Sequence, residues 1–394
     1  MKKSPIEVLA YYFPNWHVDP LNEQVHGSNW TEWSVVQCAR PRFAGHRQPR
    51  IPLWGYEDES RPDVMAKKIS CAAEHGITGF IFDWYYSESG PFRQKALNEG
   101  FLKAENCKDF KFSLMWCNHS RSNFHPTPYT MNVEMFDPPL VSPEKFEEIS
   151  DVLVNDYFVR DNYLKFDDRA YFSIYSPHDF LRSFGSVKAA AEALDRLRAK
   201  AVRAGLNGIF LHFNYLFFRQ LHERLSGERE MTADDPLSGY KGTIEDLNRD
   251  LGLNCSGSYT WGEVARAHEQ FPAVDAELVR QQVRAFWAEG MTKFGLPYHP
   301  IVSTGWDPSP RTIQSDSYDF RGYPWVGVWE QSPREFGAML EIARKHIEVC
   351  EKPEERVITL GSWNEWTEGC YLEPDTVYGL GYLKEVQKIF KETN

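Results

Sequence analysis

Eight short apolar segments are spaced along the chain, and they constrain its fold more than any other feature. Each is rich in β-branched or aromatic residues and ends in polar or turn residues, which is typical of a buried β-strand. The segments are EVLAYYF from Glu7, TGFIFDW from Thr78, KFSLMWC from Lys111, AYFSIYS from Ala170, GIFLHFN from Gly208, CSGSYT from Cys255, PIVSTGW from Pro300 and VITLGSW from Val357.

Helical patterns lie between several of these strands. The stretch DVMAKKISCAAEHG places Val64, Ile69 and Ala72 on one face and ends at Gly76. Alternating strands and helices favour parallel pairing through right-handed crossovers, and eight strands favour closure of the sheet. The sequence therefore predicts an α/β fold, a (β/α)8 TIM barrel with elongated βα loops. Because no repeat or Gly/Ser-rich linker marks a boundary, we expect a single catalytic domain over residues 1–394.

The charge balance argues against nucleic acid as a partner. The formal net charge is -12, from 44 basic and 56 acidic residues, so no basic stripe is available to meet phosphates. Aromatic residues make up 15% of the chain and 13 of them are tryptophan. This exceeds what a core requires and predicts that some rings line a binding surface. Sugars suit such a surface because their C–H faces lie flat on rings.

Neither the cysteines nor the N-terminus indicates a special compartment. The seven cysteines form no C-x-x-C pair, so reduced thiols are expected. The first predicted strand starts close to Met1, and no apolar run approaches the roughly 18 residues of a membrane span. We therefore expect a soluble protein without a membrane span. It would be cytoplasmic, or periplasmic or secreted if an export signal was removed from this form.

The C-terminal ends of the strands of a (β/α)8 barrel converge on one face, and that face carries the chemistry. Nearly every predicted strand end offers an aromatic ring beside a hydrogen-bonding group, which suits a hydroxyl-rich ligand with apolar faces. The candidate substrate-binding residues at these ends and in the first βα loop are Trp30, Glu32, Asp83, Tyr85, Trp116, Asn118, His119, Tyr175, Asn214, Trp306, Asp307, Arg311, Trp363 and Asn364.

Two glutamates stand three residues apart after the eighth predicted strand, in the stretch SWNEWTEG. If this loop turns helically, Glu365 and Glu368 meet on one side with Cβ atoms roughly 5–6 Å apart. Two carboxylates that close usually titrate apart, one as acid and one as base. Glycosidic cleavage needs that division, so both are candidate catalytic residues. The alternative is a helix N-terminus, whose dipole favours a glutamate.

Several other candidates have structural alternatives. Asp83 and Asp307 could cap turns, and Glu32 could be a solvated loop carboxylate. Arg311 could pair with an acid, or it could clamp a carboxylate or sulfate of the substrate. His212 lies inside an apolar strand and is expected to be buried and hydrogen-bonded. No trio of histidines has metal-ligand spacing, so neither a catalytic metal nor another cofactor is expected.

Four motifs of other enzyme classes do not occur in the chain: G-x-S-x-G, G-x-x-x-x-G-K-[ST], G-x-G-x-x-G and H-E-x-x-H. Acyl transfer through an elbow serine, nucleotide hydrolysis, dinucleotide redox chemistry and zinc proteolysis therefore lose support.

Six segments, taken in order and spacing, resemble a known family. They are AYYFPNWH, NWTEW, GFIFDWYY, YFSIYSP, STGWDPSPR and SWNEWTEGCYLEPD. Together they resemble the glycoside hydrolase family 99-like proteins, including WbsX-type proteins of polysaccharide clusters, over nearly the whole chain. In family 99 the fold is a (β/α)8 barrel and the enzymes cleave α-mannosidic bonds with retention. Both functional carboxylates come from the motif that matches Asn364 to Glu368 here.

The resemblance implies a mechanism through the substrate's own 2-hydroxyl. Glu365 would accept the proton of that hydroxyl as its oxygen attacks the anomeric carbon and forms a 1,2-anhydro sugar. Glu368 would protonate the leaving oxygen, and water would then open the ring with the roles reversed. The fourth predicted strand ends in YSPHDF without a carboxylate at its tip. A nucleophile for ordinary double displacement is therefore hard to find.

The chain departs from the WbsX pattern at two strand ends. WbsX-type proteins typically carry a Tyr/His-rich second strand and an Asn-Glu-Asn stretch after the third, where this chain has Asp83 and Asn118-His119. The resemblance therefore does not extend to the identity of the sugar. We expect a hydrolase of α-linked oligosaccharides or polysaccharides. The alternatives are a glycosyltransferase of polysaccharide biosynthesis, although the chain has no D-x-D motif, and a non-catalytic carbohydrate-binding barrel.

Overall fold

A computed structural model describes residues 5–122, 135–263, 270–293 and 295–391. Its main sheet is a nearly closed barrel of parallel strands, and each of the eight predicted strands contributes to it. The barrel strands are Glu7–Tyr12, Gly79–Ser87, Lys111–Trp116, Arg169–Ile174, Ile209–Asn214, Cys255–Gly257, the pair of segments Tyr298–His299 and Ile301–Ser303, and Val357–Gly361. The predicted (β/α)8 fold is confirmed.

The seventh strand is divided into two segments. Tyr298–His299 pairs with the sixth strand, and Ile301–Ser303 pairs with the eighth. Pro300 separates the segments, and because proline has no N–H it cannot donate to a sheet ladder. The seventh strand was predicted to reach Trp306. Instead Gly305–Trp306 leaves the barrel and pairs antiparallel with the strand Trp329–Glu330.

Helices surround the barrel and follow its strands. The predicted helix near residue 63 runs over Pro62–Glu74, and Gly76 follows it with a φ of 89°. None of the described helices is long and apolar enough to cross a membrane. The α-helices are Pro20–His26, Trp33–Cys38, Pro62–Glu74, Pro143–Val152, Pro177–Phe184, Val187–Arg203, Tyr215–Leu225, Ile244–Leu251, Ala276–Lys293, Pro333–Glu348 and Gly381–Phe390.

The interior of the barrel contains stacked polar rings. His212 and His299 stack with ring centroids 6.0 Å apart, and Tyr171 stacks on His299 at the same distance. His212 is buried and its Nδ1 lies 2.7 Å from Ser173 Oγ. Burial lowers the pKa of His212 well below its usual value, with nearby His299 adding to the effect. The expectation of a buried, hydrogen-bonded histidine is confirmed.

Two short hairpins extend the barrel strands into the C-terminal face. The second strand pairs antiparallel with Gly90–Phe92. After the eighth strand, Asn364–Glu365 pairs with Cys370–Tyr371 around the 3-10 turn Trp366–Glu368. Gly369 closes this turn with a φ of 63°, and a Cβ there would lie 2.7 Å from the Cβ of Asp307. Only glycine fits at that position, and the hairpin is thereby held against the end of the seventh strand.

Candidate active site

A cavity of about 430 Å³ opens at the C-terminal ends of the strands. Predicted site residues from five strand ends and from the first βα loop meet there. Those that line it are Glu32, Asp83, Tyr85, Asn118, His119, Tyr175, Trp306, Arg311, Glu365 and Glu368. The face that the barrel topology indicates is therefore the face that carries these groups.

The 3-10 turn brings the two glutamates to one side of the cavity. Glu365 stands at the N-cap position of the turn and Glu368 is its last residue. Both carboxylates are buried and both line the cavity. Trp366, between them in sequence, points away and stacks on Tyr371 at 3.8 Å between ring centroids. The spacing of three residues thus places both acids at the cavity, whereas the Trp366 ring between them packs in the interior of the protein.

Arg311 connects the two glutamates. Its Nη1 donates to Glu368 Oε1, and its Nη2 donates to Glu365 Oε2 at 3.2 Å and to Glu32 Oε1 at 3.2 Å. Its Nε donates to Thr367 Oγ1 at 3.0 Å. Every guanidinium nitrogen is therefore bonded within the protein. Of the two roles considered for Arg311, this geometry fits the pairing with acids and not the clamping of a substrate anion.

The charges around Arg311 do not cancel. Burial raises the pKa of Glu365 well above its usual value, and the charge of Glu368 raises it further, while Arg311 opposes both effects. Burial also raises the pKa of Glu368, again opposed by Arg311. Because Glu32 shares the same guanidinium, three carboxyl groups face one cation. These shifts make both glutamates harder to ionise than exposed carboxyl groups.

Glu32 is not a solvated loop carboxylate, which was the alternative considered from the sequence. It is fully buried, and it accepts hydrogen bonds from Asn15 Nδ2 and Thr367 Oγ1, both at 2.5 Å. Within the described part of the chain, no group of three or more His, Cys, Asp or Glu residues is arranged to hold a metal ion.

A tyrosine hydroxyl joins Asp83 to Glu365. Tyr259 Oη lies 2.7 Å from Asp83 Oδ2 and 2.9 Å from Glu365 Oε1. A phenol carries one proton, so it can donate to only one of them, and the other contact requires a protonated carboxyl group. Burial raises the pKa of Asp83 well above its usual value, although the Tyr259 hydrogen bond opposes the shift. The three residues form a hydrogen-bonded chain that holds the phenol proton and one carboxyl proton.

Three predicted tryptophans do not line the cavity. Trp116 is fully buried and packs against Phe146 at 5.7 Å, with its Nε1 donating to the Tyr86 carbonyl. Trp363 is also fully buried in the core. Trp30 stacks on a histidine of its own loop at 4.0 Å between centroids. The prediction that these rings contact substrate is corrected, and Trp306 is the predicted tryptophan that does line the cavity.

Three predicted polar residues lie behind the cavity wall. Asn214 caps the helix Tyr215–Leu225 by accepting from the Leu216 N–H. Asn364 donates to the Phe13 carbonyl and accepts from its N–H, which ties the first strand end to the eighth.

Asp307 accepts from Ser309 N–H at 3.2 Å and from Gln48 Nε2 at 2.7 Å. Burial by itself would raise the pKa of Asp307. The hydrogen bond from His46 and the charge of Arg50 outweigh this effect, so the pKa lies well below its usual value. The position of Asp307 fits its capping alternative, and like Asn214 and Asn364 it is corrected from a cavity residue to one that holds the wall.

Sequence reasoning missed several lining residues. Phe13 and Arg93 line the cavity, as does Tyr323, whose hydroxyl donates to Glu368 Oε1 at 2.8 Å. Tyr259 lies at the end of the sixth strand, as the predicted site residues lie at the ends of other strands, so its position in the sequence could have indicated it. Tyr323 carried none, because it lies in a long loop and meets Glu368 only through the tertiary fold.

The barrel is similar in fold to solved structures of low sequence identity. A structure described as a glycoside hydrolase-like protein superimposes with a TM-score of 0.56 at 17% identity, covering 99% of this chain and 96% of its own. The GH99 endo-alpha-mannosidase from Bacteroides thetaiotaomicron gives a TM-score of 0.53 at 14% identity, covering 98% of this chain and 97% of its own. At these identities the likeness establishes the fold alone.

The chain belongs to the family described as Glycosyltransferase WbsX, whose model matches residues 8–386. It is 25% identical over 382 residues to the WxcX protein of Xanthomonas campestris pv. campestris strain B100, and to the same degree to that of strain ATCC 33913. The alignments cover 96% of this chain and 49% of either relative. The chain thus spans about half the length of these WxcX proteins. The resemblance to WbsX-type proteins is confirmed.

Proposed function

We propose that this protein is a glycoside hydrolase that cleaves α-linked glycans with retention. One observation carries the proposal: two buried glutamates, bridged by Arg311, face the same cavity and have raised pKa values. Glycosidic cleavage needs a proton donor and a proton acceptor close to one sugar. A barrel that only binds carbohydrate would gain nothing from burying two acids in this way, because each acid costs desolvation.

The proposed reaction uses the substrate's own 2-oxygen. Glu365 accepts the proton of the 2-hydroxyl while that oxygen attacks the anomeric carbon, the glycosidic bond breaks, and Glu368 gives its proton to the departing oxygen. Water then attacks the anomeric carbon of the 1,2-anhydro sugar and loses a proton to Glu368. The 2-oxygen leaves the anomeric carbon and takes its proton back from Glu365. Two acids from one turn suit this route because the two oxygens sit on neighbouring ring atoms.

The substrate must reverse the proton distribution of the empty site. Glu368 Oε1 accepts from both Arg311 and Tyr323, so the empty site favours the charge on Glu368 and the proton on Glu365. A bound 2-hydroxyl donates to Glu365 and favours its ionised form, and the glycosidic oxygen accepts from a protonated Glu368. Arg311 contacts both carboxylates, so it remains paired whichever one is ionised.

A glycan panel with product analysis tests the proposal. We expect wild-type protein to release reducing ends from at least one α-linked oligosaccharide, with NMR showing the α-anomer formed first. Glu365→Gln and Glu368→Gln should abolish release from that oligosaccharide, whereas Glu341→Gln, at an exposed helix position, should leave it unchanged. Release by the Glu365→Gln/Glu368→Gln double variant at the wild-type rate would contradict the assignment.

A second candidate is glycosyl transfer, which the description of the family itself favours. The same 1,2-anhydro sugar opened by a sugar hydroxyl instead of water would give transfer from a glycan donor. A nucleotide sugar as donor would define a different enzyme. Incubation with nucleotide sugars and an acceptor glycan separates the two: product formed only from the nucleotide sugar would replace the hydrolase by a transferase.

A further inference from the structure

Arg93 lies in the cavity wall beyond the second-strand hairpin. Its backbone N–H donates to Asp19 Oδ2 at 3.2 Å, which fixes the residue at a φ of 56°. Within the described ranges its guanidinium forms no ion pair, and its Nε is buried without a hydrogen-bond partner. Arg311, the other arginine of the cavity, has all its nitrogens bonded. Arg93 is thus a cation whose guanidinium donors are not used by any residue that the structure describes.

Three aromatic rings hold the guanidinium in place. Its central carbon lies 4.6 Å from the ring centroid of Phe92, 4.9 Å from that of Tyr85 and 5.1 Å from that of Phe13. Cation–π contacts stabilise the group through its flat faces. The N–H groups at its edge then remain available for a planar acceptor with two oxygens. A bound oxyanion would give the two Nη groups of Arg93 a hydrogen-bond partner.

The group lies close to the paired glutamates. The guanidinium carbon of Arg311 is 5.7 Å from the centroid of the same Phe13 ring. The guanidinium groups of Arg93 and Arg311 therefore both contact the Phe13 ring. Since Arg311 contacts Glu365 and Glu368, a sugar held between those acids would place a substituent, or the adjoining sugar, at Arg93.

We propose that Arg93 binds an anionic group of the substrate, and that the glycan is therefore acidic. This deepens the proposed function and rests on it for the position of the scissile bond. The fork of N–H groups best fits the carboxylate of a uronic acid, and a sulfate ester offers the same oxyanion chemistry. The carboxyl groups of the cavity contact groups other than Arg93: Glu32, Glu365 and Glu368 contact Arg311, and Asp83 contacts Tyr259.

Binding to matched sugars tests this inference without relying on turnover. The probes are methyl α-glycosides of glucose, galactose and mannose, each with its 6-carboxylate and its 6-sulfate counterpart, measured by calorimetry on the full chain. For at least one sugar we expect the acidic form to bind about tenfold more tightly than the neutral form, with the difference shrinking in high salt. The arm that shows the larger effect distinguishes carboxylate from sulfate.

Variants separate anion binding from a packing role. Arg93→Gln should abolish the preference for the acidic form while changing the affinity for the neutral form by less than about twofold. Arg93→Lys should keep part of the preference because the charge remains, and Arg203→Gln, at an exposed position, should match wild type.

The inference is overturned if wild-type protein binds no acidic probe more tightly than its neutral form. It is also overturned if Arg93→Gln weakens both forms equally. A clear acid preference in a protein that cleaves no glycan would instead contradict the hydrolase proposal and leave the anion site intact.

Discussion

Removing the Arg311 side chain should destabilise the protein in a way that depends strongly on pH. In Arg311→Gln, three buried carboxyl groups lose the cation that they share. Breaking a buried ion pair from one side costs about 3–5 kcal/mol. With an unfolding entropy of about 2.1 cal/mol/K per residue, this corresponds to a fall in Tm of roughly 4–6 °C if the whole chain unfolds as one unit.

The sign of the pH effect follows from the raised pKa values. A carboxyl group whose pKa is higher in the folded than in the unfolded state stabilises the fold at low pH, and this contribution is lost as pH rises through the folded-state pKa. Glu365 and Glu368 are such groups, and removing Arg311 raises both pKa values further. We therefore expect the Tm deficit of the variant to be largest near pH 8 and to shrink near pH 5.

Thermal melts followed by circular dichroism at both pH values measure the deficit directly. Arg203→Gln is the matched control, because it removes an exposed arginine and should melt like wild type. Adding Glu365→Gln to Arg311→Gln should restore part of the lost stability near pH 8, since one unpaired carboxylate is then gone. A deficit that is equal at both pH values, or a double variant no more stable than Arg311→Gln, would refute the electrostatic account.

Three further results are expected. Glu368→Gln should lose its activity on natural glycans but keep part of its activity on aryl glycosides, whose leaving groups need little protonation. Glu365→Gln should be inactive on both kinds of substrate in rate assays. Equal losses of activity on both substrates for Glu368→Gln would contradict its role as the acid. Trp116→Ala should lower the free energy of unfolding by about 3–5 kcal/mol without changing sugar affinity. Trp306→Ala should weaken sugar binding by on the order of 1 kcal/mol. Denaturation measures the first effect and calorimetry the second, and the opposite pattern would show that the Trp116 ring contacts the sugar. Tyr259→Phe should lower kcat/KM about 10- to 100-fold and change the pH dependence of kcat/KM, because the hydroxyl that joins Asp83 to Glu365 is lost. An unchanged pH profile would contradict the coupling of these two carboxyl groups.

The strand ends were predictable from sequence because buried parallel strands carry a strong apolar signal. To predict which side chain of a strand end enters the cavity, the alternation of side chains along the strand must also be considered. Successive residues of a strand point to opposite faces, so Met115 lines the cavity while Trp116 faces the helix layer. The same alternation places Asp83 in the cavity and Trp84 against Tyr157. Applying this parity to the sequence would have removed Trp116 from the candidates.

Other parts of the site could not be predicted from local pattern. Tyr323 lies 45 residues before Glu368, and its position depends on how a long loop folds back over the cavity. Arg93 follows a hairpin whose turn the sequence did not indicate. The pairing of Arg311 with Glu32 joins residues 279 positions apart. Such contacts are set by tertiary packing and have no periodic signature that a single sequence displays.

The glutamate and arginine cluster also lies beside the divided seventh strand. The seventh strand consists of two short segments on either side of Pro300, so its ladder to the eighth strand covers only Ile301–Ser303. Arg311 follows the seventh strand, Glu365 and Glu368 follow the eighth, and Glu32 belongs to the first βα loop. Their ion pairs therefore join three neighbouring strand ends of the barrel. The interactions that influence the pKa values of the acids also connect these strand ends, so a variant that removes Arg311 should weaken both the packing there and the proposed chemistry.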